Sequence, residues 1–108
     1  MIMETIIITG LNVVLHYIEL TVVEQGQVGD YMLIEDLRLA HPHVYRFMNI
    51  RVNPGDKIRV YLYDGHDHLE KEESEVIHCL YAGDDFQDLD REYANLAIIK
   101  RIKVKNKI

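Results

Sequence analysis

The sequence contains very little cysteine, proline or tryptophan. Its 108 residues include one cysteine, two prolines and no tryptophan. Because Cys79 has no partner for an intramolecular disulfide, the composition favours a reducing, cytoplasmic location. The amino terminus, MIMETIIITG, lacks the positive charge of a secretory signal. Polar residues interrupt the longest apolar region, residues 5–23, so we expect a soluble protein without a transmembrane segment.

The sequence also lacks the short motifs of common enzyme classes. It has no glycine-rich phosphate loop, no Gly-x-Ser-x-Gly elbow and no His-Glu-x-x-His helix. Cys79 follows His78, but adjacent residues of a strand point to opposite faces and cannot act as a nucleophile and its base. We therefore expect Cys79 to be a small buried hydrophobe, and His16 and His78 to be hydrogen-bonded residues within strands. No enzymatic activity is predicted, although an acid–base pair among the many carboxylates stays open.

Negative charge is concentrated in one part of the chain. The net charge is −6, yet residues 64–92 hold 11 acids and two bases, whereas residues 93–108 hold five bases and no acid. The overall negative charge makes nucleic acid an unlikely partner, because phosphate binding needs a cationic face. A dense acidic segment favours cations or a basic protein surface.

One turn and the strand after it have the clearest secondary-structure signals. Asn53-Pro54-Gly55-Asp56 predicts a type II turn, since Pro54 restricts φ and Gly55 tolerates a positive φ. Apolar residues then alternate with polar and aromatic residues, as in a half-buried strand: Ile58, Val60 and Leu62 against Lys57, Arg59, Tyr61 and Tyr63.

The rest of the chain also favours strands. We expect a first strand that ends in a turn at Thr9-Gly10, a long strand over residues 11–24 that is either covered on both faces or bent, and a strand over residues 31–39. Residues 84–100 fit either a helix or a strand; we expect one short helix near residues 85–93, followed by a strand from about residue 95. The fold class is therefore all-β: residues 1–108 form a single β domain, an antiparallel β-sandwich or small barrel.

Acidic and aromatic side chains around residues 61–93 form the predicted binding face. The acidic part comprises a loop over residues 64–73 and the segment 84–92; its members are Asp64, Asp67, Glu70, Glu72, Glu73, Asp84, Asp85 and Asp88. Nearby tyrosines would anchor a partner, because aromatic side chains contribute most to interfaces: Tyr61, Tyr63, Tyr81 and Tyr93.

Two His-x-His pairs raise the alternative of a metal site. Side chains at positions i and i+2 of an extended segment share a face, so each pair can supply two imidazoles. If the pairs meet, the ligands of a zinc, iron, copper or nickel ion would be His41, His43, His66 and His68. Calcium is a further alternative, with the carboxylates of Asp64, Asp67 and Glu72 as ligands.

Residues 58–73, IRVYLYDGHDHLEKEE, are an alternating strand that ends in an aspartate and an acidic loop. This stretch resembles the strand and third calcium loop of C-two domains, the calcium- and phospholipid-binding β-sandwiches. In that comparison Asp64 matches the first acid and Glu72 approximately the last, whereas His66 occupies the position of the middle acid. The resemblance implies a β-sandwich with calcium at this loop.

The sequence as a whole predicts a non-enzymatic acidic binding module. Its partner would be a basic protein, and the class would be that of inhibitor or immunity proteins or of a subunit in a larger assembly. Two alternatives remain: a metal-dependent function through the residues above, and self-association through edge strands.

Overall fold

Ten β-strands make up the secondary structure of residues 5–12, 14–35, 43–83 and 96–100, which the computed structural model describes. They are β1 (Ile6–Asn12), β2 (Tyr17–Val22), β3 (Gly26–Gln27), β4 (Tyr31–Glu35), β5 (His43–Arg46), β6 (Arg51–Val52), β7 (Lys57–Tyr61), β8 (His68–Glu72), β9 (Glu75–Tyr81) and β10 (Leu96–Lys100). Within these ranges there is no helix, and hence none that could cross a membrane. The all-β prediction is confirmed, while the predicted helix at 85–93 lies outside the described residues.

The strands form three sheets. The largest has the order β1-β2-β7-β9-β8, the second β10-β4-β5, and β3 pairs with β6. Neighbouring strands run antiparallel except β7 and β9, which are parallel. Parallel neighbours need a connection that crosses back along the sheet. Here residues 62–74 provide it, and they contain β8, which therefore pairs with the far side of β9.

One hydrophobic cluster joins the sheets. In β7, Ile58 and Val60 are fully buried while the residues on either side are partly exposed, as the alternation predicts. The cluster also includes residues from β1, β2, β4, β5, β6 and β9, among them Leu20, Leu33 and Leu80. The core therefore lies against one face of the five-stranded sheet, and the opposite face carries polar side chains such as Glu19, Lys57 and Arg59.

Two of the predicted turns have different outcomes. The Asn53–Asp56 turn is confirmed: the Asp56 amide donates to the Asn53 carbonyl at 3.0 Å, and Gly55 has φ +92°. The turn predicted at Thr9-Gly10 is wrong, because β1 continues through these residues with a bulge between Ile8 and Gly10.

The long strand predicted over residues 11–24 is wrong as well, because a turn divides it. The Asn12 side-chain oxygen accepts hydrogen bonds from the Val14 and Leu15 amides, at 3.1 and 2.8 Å. An asparagine that bonds the following backbone in this way initiates a turn. His16 consequently lies in the turn, exposed and with φ +56°, and not within a strand.

Candidate functional site

Strand β8 lies at the edge of the five-stranded sheet. It pairs with β9 on one side, and no other strand of the described residues lies on its second side. The prediction of a loop over residues 64–73 is therefore wrong for His68–Glu72, which form a strand in register with β9. A two-residue turn at Glu73 and Ser74 joins the two strands. The acidic side chains consequently follow a sheet edge whose backbone pairs with no second strand among the described residues.

The sequence around this strand is strongly acidic and accessible. Residues 64–75 include six acids and a single base, Lys71, and thus have a net charge of −5 with histidine neutral. All six acidic residues are exposed or half-buried: Asp64, Asp67, Glu70, Glu72, Glu73 and Glu75. We call residues 64–75 the acidic edge. The other predicted acids, Asp84, Asp85 and Asp88, lie outside the described residues.

A group of tyrosines lies directly beside the acidic edge. Tyr17, Tyr61 and Tyr81 are neighbours across β2, β7 and β9. The Tyr61 and Tyr81 rings stack with 5.0 Å between centroids, and Tyr63 lies 5.5 and 5.8 Å from them. Three of the predicted anchors are therefore brought together by the sheet. The fourth, Tyr93, lies outside the described residues.

The acidic edge packs against these tyrosines. The His68 ring stacks on Tyr81 with 5.8 Å between centroids, and the Asp67 carboxylate accepts a hydrogen bond from the Tyr81 amide at 3.0 Å. Gly65 approaches the same ring so closely that a Cβ atom there would lie 2.4 Å from it. The loop and the tyrosines thus form one continuous surface.

Arg59 is a functional candidate that the sequence did not predict. It lies on the tyrosine face of β7, with its guanidinium 4.9 Å from the Tyr17 ring centroid and its Nε 3.7 Å from a Glu19 oxygen. Burial lowers its pKa, but a hydrogen bond with Tyr61 and nearby negative charge offset this, and the net shift is upward. Buried and partly exposed residues alternate along β7, and Arg59 is one of those that point away from the core. This pattern could have identified it.

His68, Glu70 and Cys79 form a second group that the sequence did not reveal. Their ligand atoms all lie within 4.8 Å of one another. His68 Nδ1 bonds the His66 carbonyl at 2.8 Å, and His68 Nε2 lies 3.1 Å from Glu70 Oε1. The bonds to the His66 carbonyl and to Glu70 raise the pKa of His68, and burial raises the pKa of the Cys79 thiol.

The structure describes the side chains of only part of the predicted set of metal ligands. Of the first histidine pair, His41 lies outside the described residues, and only the backbone of His43 is described, in β5. Within the described part of the chain, three possible metal ligands lie close together, namely His68, Glu70 and Cys79. This group does not contain His66, Asp64, Asp67 or Glu72. Whether the two histidine pairs meet remains a prediction.

A shallow groove lies on the other face of β8 and β9. It has a volume of about 290 Å³ and is lined by Ile50, Arg51, Asp67, His68, Leu69, His78 and Leu80. Leu69 is 58% exposed on this face and is the cross-strand partner of the buried His78. The acidic edge therefore separates a polar, tyrosine-lined face from a largely apolar groove.

Backbone strain at the turn of the acidic edge leads to a stability prediction. Glu73 has φ +55°, a left-handed conformation that costs a residue with a side chain about 1–2 kcal/mol. We expect Glu73→Gly to raise the free energy of unfolding by about 0.5–1 kcal/mol, because glycine relieves this strain but loses more entropy on folding. Urea denaturation would measure the change.

The neighbouring residue provides the control for this substitution. Glu72→Gly removes the same charge from β8, where φ is not positive, and is expected to destabilise the protein. Equal effects of the two substitutions would show that charge, and not backbone strain, determines the result.

Comparisons of the chain with protein-family models, curated proteins and solved structures gave no match.

Proposed function

We propose that the protein is a non-enzymatic binding module that accepts an extended, basic segment of a partner protein along the acidic edge. The observation that supports this most directly is that β8 is an edge strand flanked by acidic side chains on a segment of net charge −5. An unpaired edge offers backbone hydrogen bonds to an added strand, while side chains determine which strand is accepted.

Charge favours a basic partner over a second copy of the same edge. Two copies of the acidic edge would bring two segments of net charge −5 together, and like charges on adjacent strands are destabilising. A segment with lysine or arginine at alternate positions would instead meet Glu70 and Glu72, which share one face of β8.

The surfaces beside β8 supply two further contacts. Side chains of an added strand alternate between the faces of the sheet, so one set would lie on the face that carries Tyr63 and Tyr81 and the other on the face of the apolar groove. Partly exposed tyrosines anchor interfaces at low entropic cost. Exposed Leu69 would lose its contact with water in the complex. Such a module would serve as an inhibitor or immunity-type protein, or as a subunit of a larger assembly.

A synthetic peptide tests this proposal without knowledge of the natural partner. The probe is a labelled peptide in which lysine and valine alternate, with a glutamate–valine peptide as the control. We expect saturable binding of the basic peptide that weakens between low ionic strength and about 150 mM salt, because screening shortens the range of exposed charges. Equal binding of the acidic peptide would contradict the proposal.

Charge reversal on the acidic edge should slow association. In the Glu72→Lys/Glu73→Lys variant we expect the association rate of the basic peptide at low salt to fall by about tenfold or more, because steering by charge contributes 10- to 1,000-fold. Stopped-flow fluorescence would measure the rate.

The matched control reverses the same number of charges elsewhere on the surface. Glu24→Lys/Asp30→Lys changes two exposed acids that lie outside the acidic edge. If this variant slows association as much as the edge variant, net charge alone attracts the peptide and the acidic edge is not the binding surface. Light scattering of the free protein would reveal self-association as the alternative.

A further inference from the structure

The β8–β9 pairing places three metal-ligating side chains on one face of the sheet. His68 is the cross-strand partner of Cys79, and Glu70 is two residues from His68 on the same strand. Direct partners in an antiparallel pair have Cβ atoms about 5 Å apart, and residues i and i+2 share a face. The three side chains therefore converge by register, as their donor atoms within 4.8 Å of one another show.

We propose that His68, Glu70 and Cys79 form a binding site for a divalent transition metal, with zinc the best match to the donors. One imidazole nitrogen, one carboxylate oxygen and one thiolate are all zinc ligands, and three protein ligands leave a fourth, open position. This site does not depend on the proposed binding of a basic segment, and it differs from the histidine pairs that the sequence predicted.

The hydrogen bonds of His68 orient it as a ligand. Its Nδ1 lies 2.8 Å from the His66 carbonyl, which can only accept, so Nδ1 donates and the lone pair of Nε2 can bind a metal ion. A carbonyl that holds the second ring nitrogen is the usual support of a metal-bound histidine. Nε2 lies 3.1 Å from a Glu70 carboxylate oxygen, and two lone-pair atoms at this distance need a cation between or beside them. That cation is a proton on the imidazole or a metal ion.

The required movement is small. Zinc holds nitrogen and oxygen at about 2.0–2.2 Å and sulfur at about 2.3 Å, so tetrahedral ligands lie roughly 3.3–3.7 Å apart. The side chains of His68 and Glu70 are 42% and 44% exposed and can rotate towards the buried Cys79 sulfur. The largest separation in the group, up to 4.8 Å, would shorten by about 1 Å, whereas His68 Nε2 and Glu70 Oε1, 3.1 Å apart, would move slightly apart.

The surrounding charges are compatible with a bound cation. A carboxylate and a thiolate together neutralise a divalent ion, and Asp67 adds negative charge beside His68. Arg59 is the cross-strand partner of Cys79 on β7; it repels the metal ion but favours the thiolate. The acidic edge as a whole favours accumulation of cations near the site.

Cobalt titration tests this inference, because Co²⁺ replaces zinc and forms a coloured thiolate complex. The protein is prepared without a histidine tag, metal-free, and reduced with a phosphine that does not bind metal. We expect a sulfur-to-cobalt charge-transfer band that saturates at one ion per chain and disappears when zinc is added. The absence of this band at saturating Co²⁺ would overturn the inference, since thiolate ligation would then not occur.

Variants of exposed ligands identify the site without disturbing the core. We expect His68→Ala and Glu70→Gln each to weaken cobalt binding by at least about tenfold, because the loss of even supporting groups has effects of that size. The matched control is His66→Ala, which removes an adjacent exposed histidine but leaves the carbonyl that supports His68. Equal weakening by His66→Ala would show binding to surface histidines and contradict the site. Peptide binding measured in the presence of a chelator separates this result from that of the proposed function.

Discussion

Replacing His78 with leucine is expected to lower the free energy of unfolding by about 3–5 kcal/mol. His78 Nε2 lies 2.9 Å from Asp56 Oδ2, and the two residues are only 8% and 9% exposed. The same Asp56 oxygen accepts from the Asn53 amide at 3.0 Å, so the pair links β9 to the turn before β7. Without the imidazole, the buried Asp56 carboxylate loses a hydrogen-bond partner, and an unsatisfied buried carboxylate is more costly than the loss of the contact itself.

Urea denaturation with two companion variants would test this prediction. Asp56→Asn in the His78→Leu background should recover part of the lost stability, because an amide needs no counter-charge. Glu70→Gln, which alters the exposed His68–Glu70 pair, should change stability little. If His78→Leu unfolds at the same urea concentration as the wild type, the buried pair does not stabilise the fold.

Replacing Tyr63 with alanine is expected to reduce the affinity for the basic peptide by about 2 kcal/mol, or roughly 30-fold. Tyr63 is 45% exposed and contacts the rings of Tyr61 and Tyr81, so its removal leaves the core intact while it removes aromatic surface beside the acidic edge. Fluorescence anisotropy would measure the affinity, and most of the loss should be in the dissociation rate.

Val23→Ala is the control for this substitution. Val23 is 41% exposed, like Tyr63, but its amide bonds Thr5 at the end of β2 that is remote from Tyr17 and the other tyrosines. An equal loss of affinity in this variant, or none in Tyr63→Ala, would contradict the role of the tyrosines as anchors.

Sequence patterns that extend over only a few residues predicted the local structure correctly in several places. The turn at Asn53–Asp56 and the strand after it were correctly predicted, since proline, glycine and apolar alternation each restrict the backbone of their own neighbourhood. The strand predicted from about residue 95 corresponds to β10. The burial of His78 and Cys79 on opposite faces of β9 also follows from the period of a strand.

Local signals were misleading where a turn depends on one side chain. Thr9-Gly10 has a favourable turn composition, yet the ladder with β2 holds it in a strand with a bulge. The actual turn depends on Asn12, within a region of mostly apolar residues. Pairing with a neighbouring strand can therefore override the composition of a dipeptide.

The candidate site consists of residues that are distant in the sequence and become neighbours only in the folded chain. The sequence identified acidic residues, tyrosines and His68, but not their arrangement, because it does not specify which strands become neighbours. The parallel pairing of β7 with β9 aligns Tyr61 with Tyr81 and Arg59 with Cys79. The antiparallel return of β8 then brings His68 opposite Cys79. The register of these three strands, and not any motif, assembles the site.

By itself, the sequence determined the β-strand content, the outward position of the charged and tyrosine side chains of β7, and the acidic character of residues 64–75. These properties follow from side-chain chemistry and a period of two. Only the tertiary structure decided that β8 is an edge strand, that Asp56 pairs with His78, and that His68, Glu70 and Cys79 converge. The physical reason is that strand order and register are determined by burial of the whole core, which no single segment encodes.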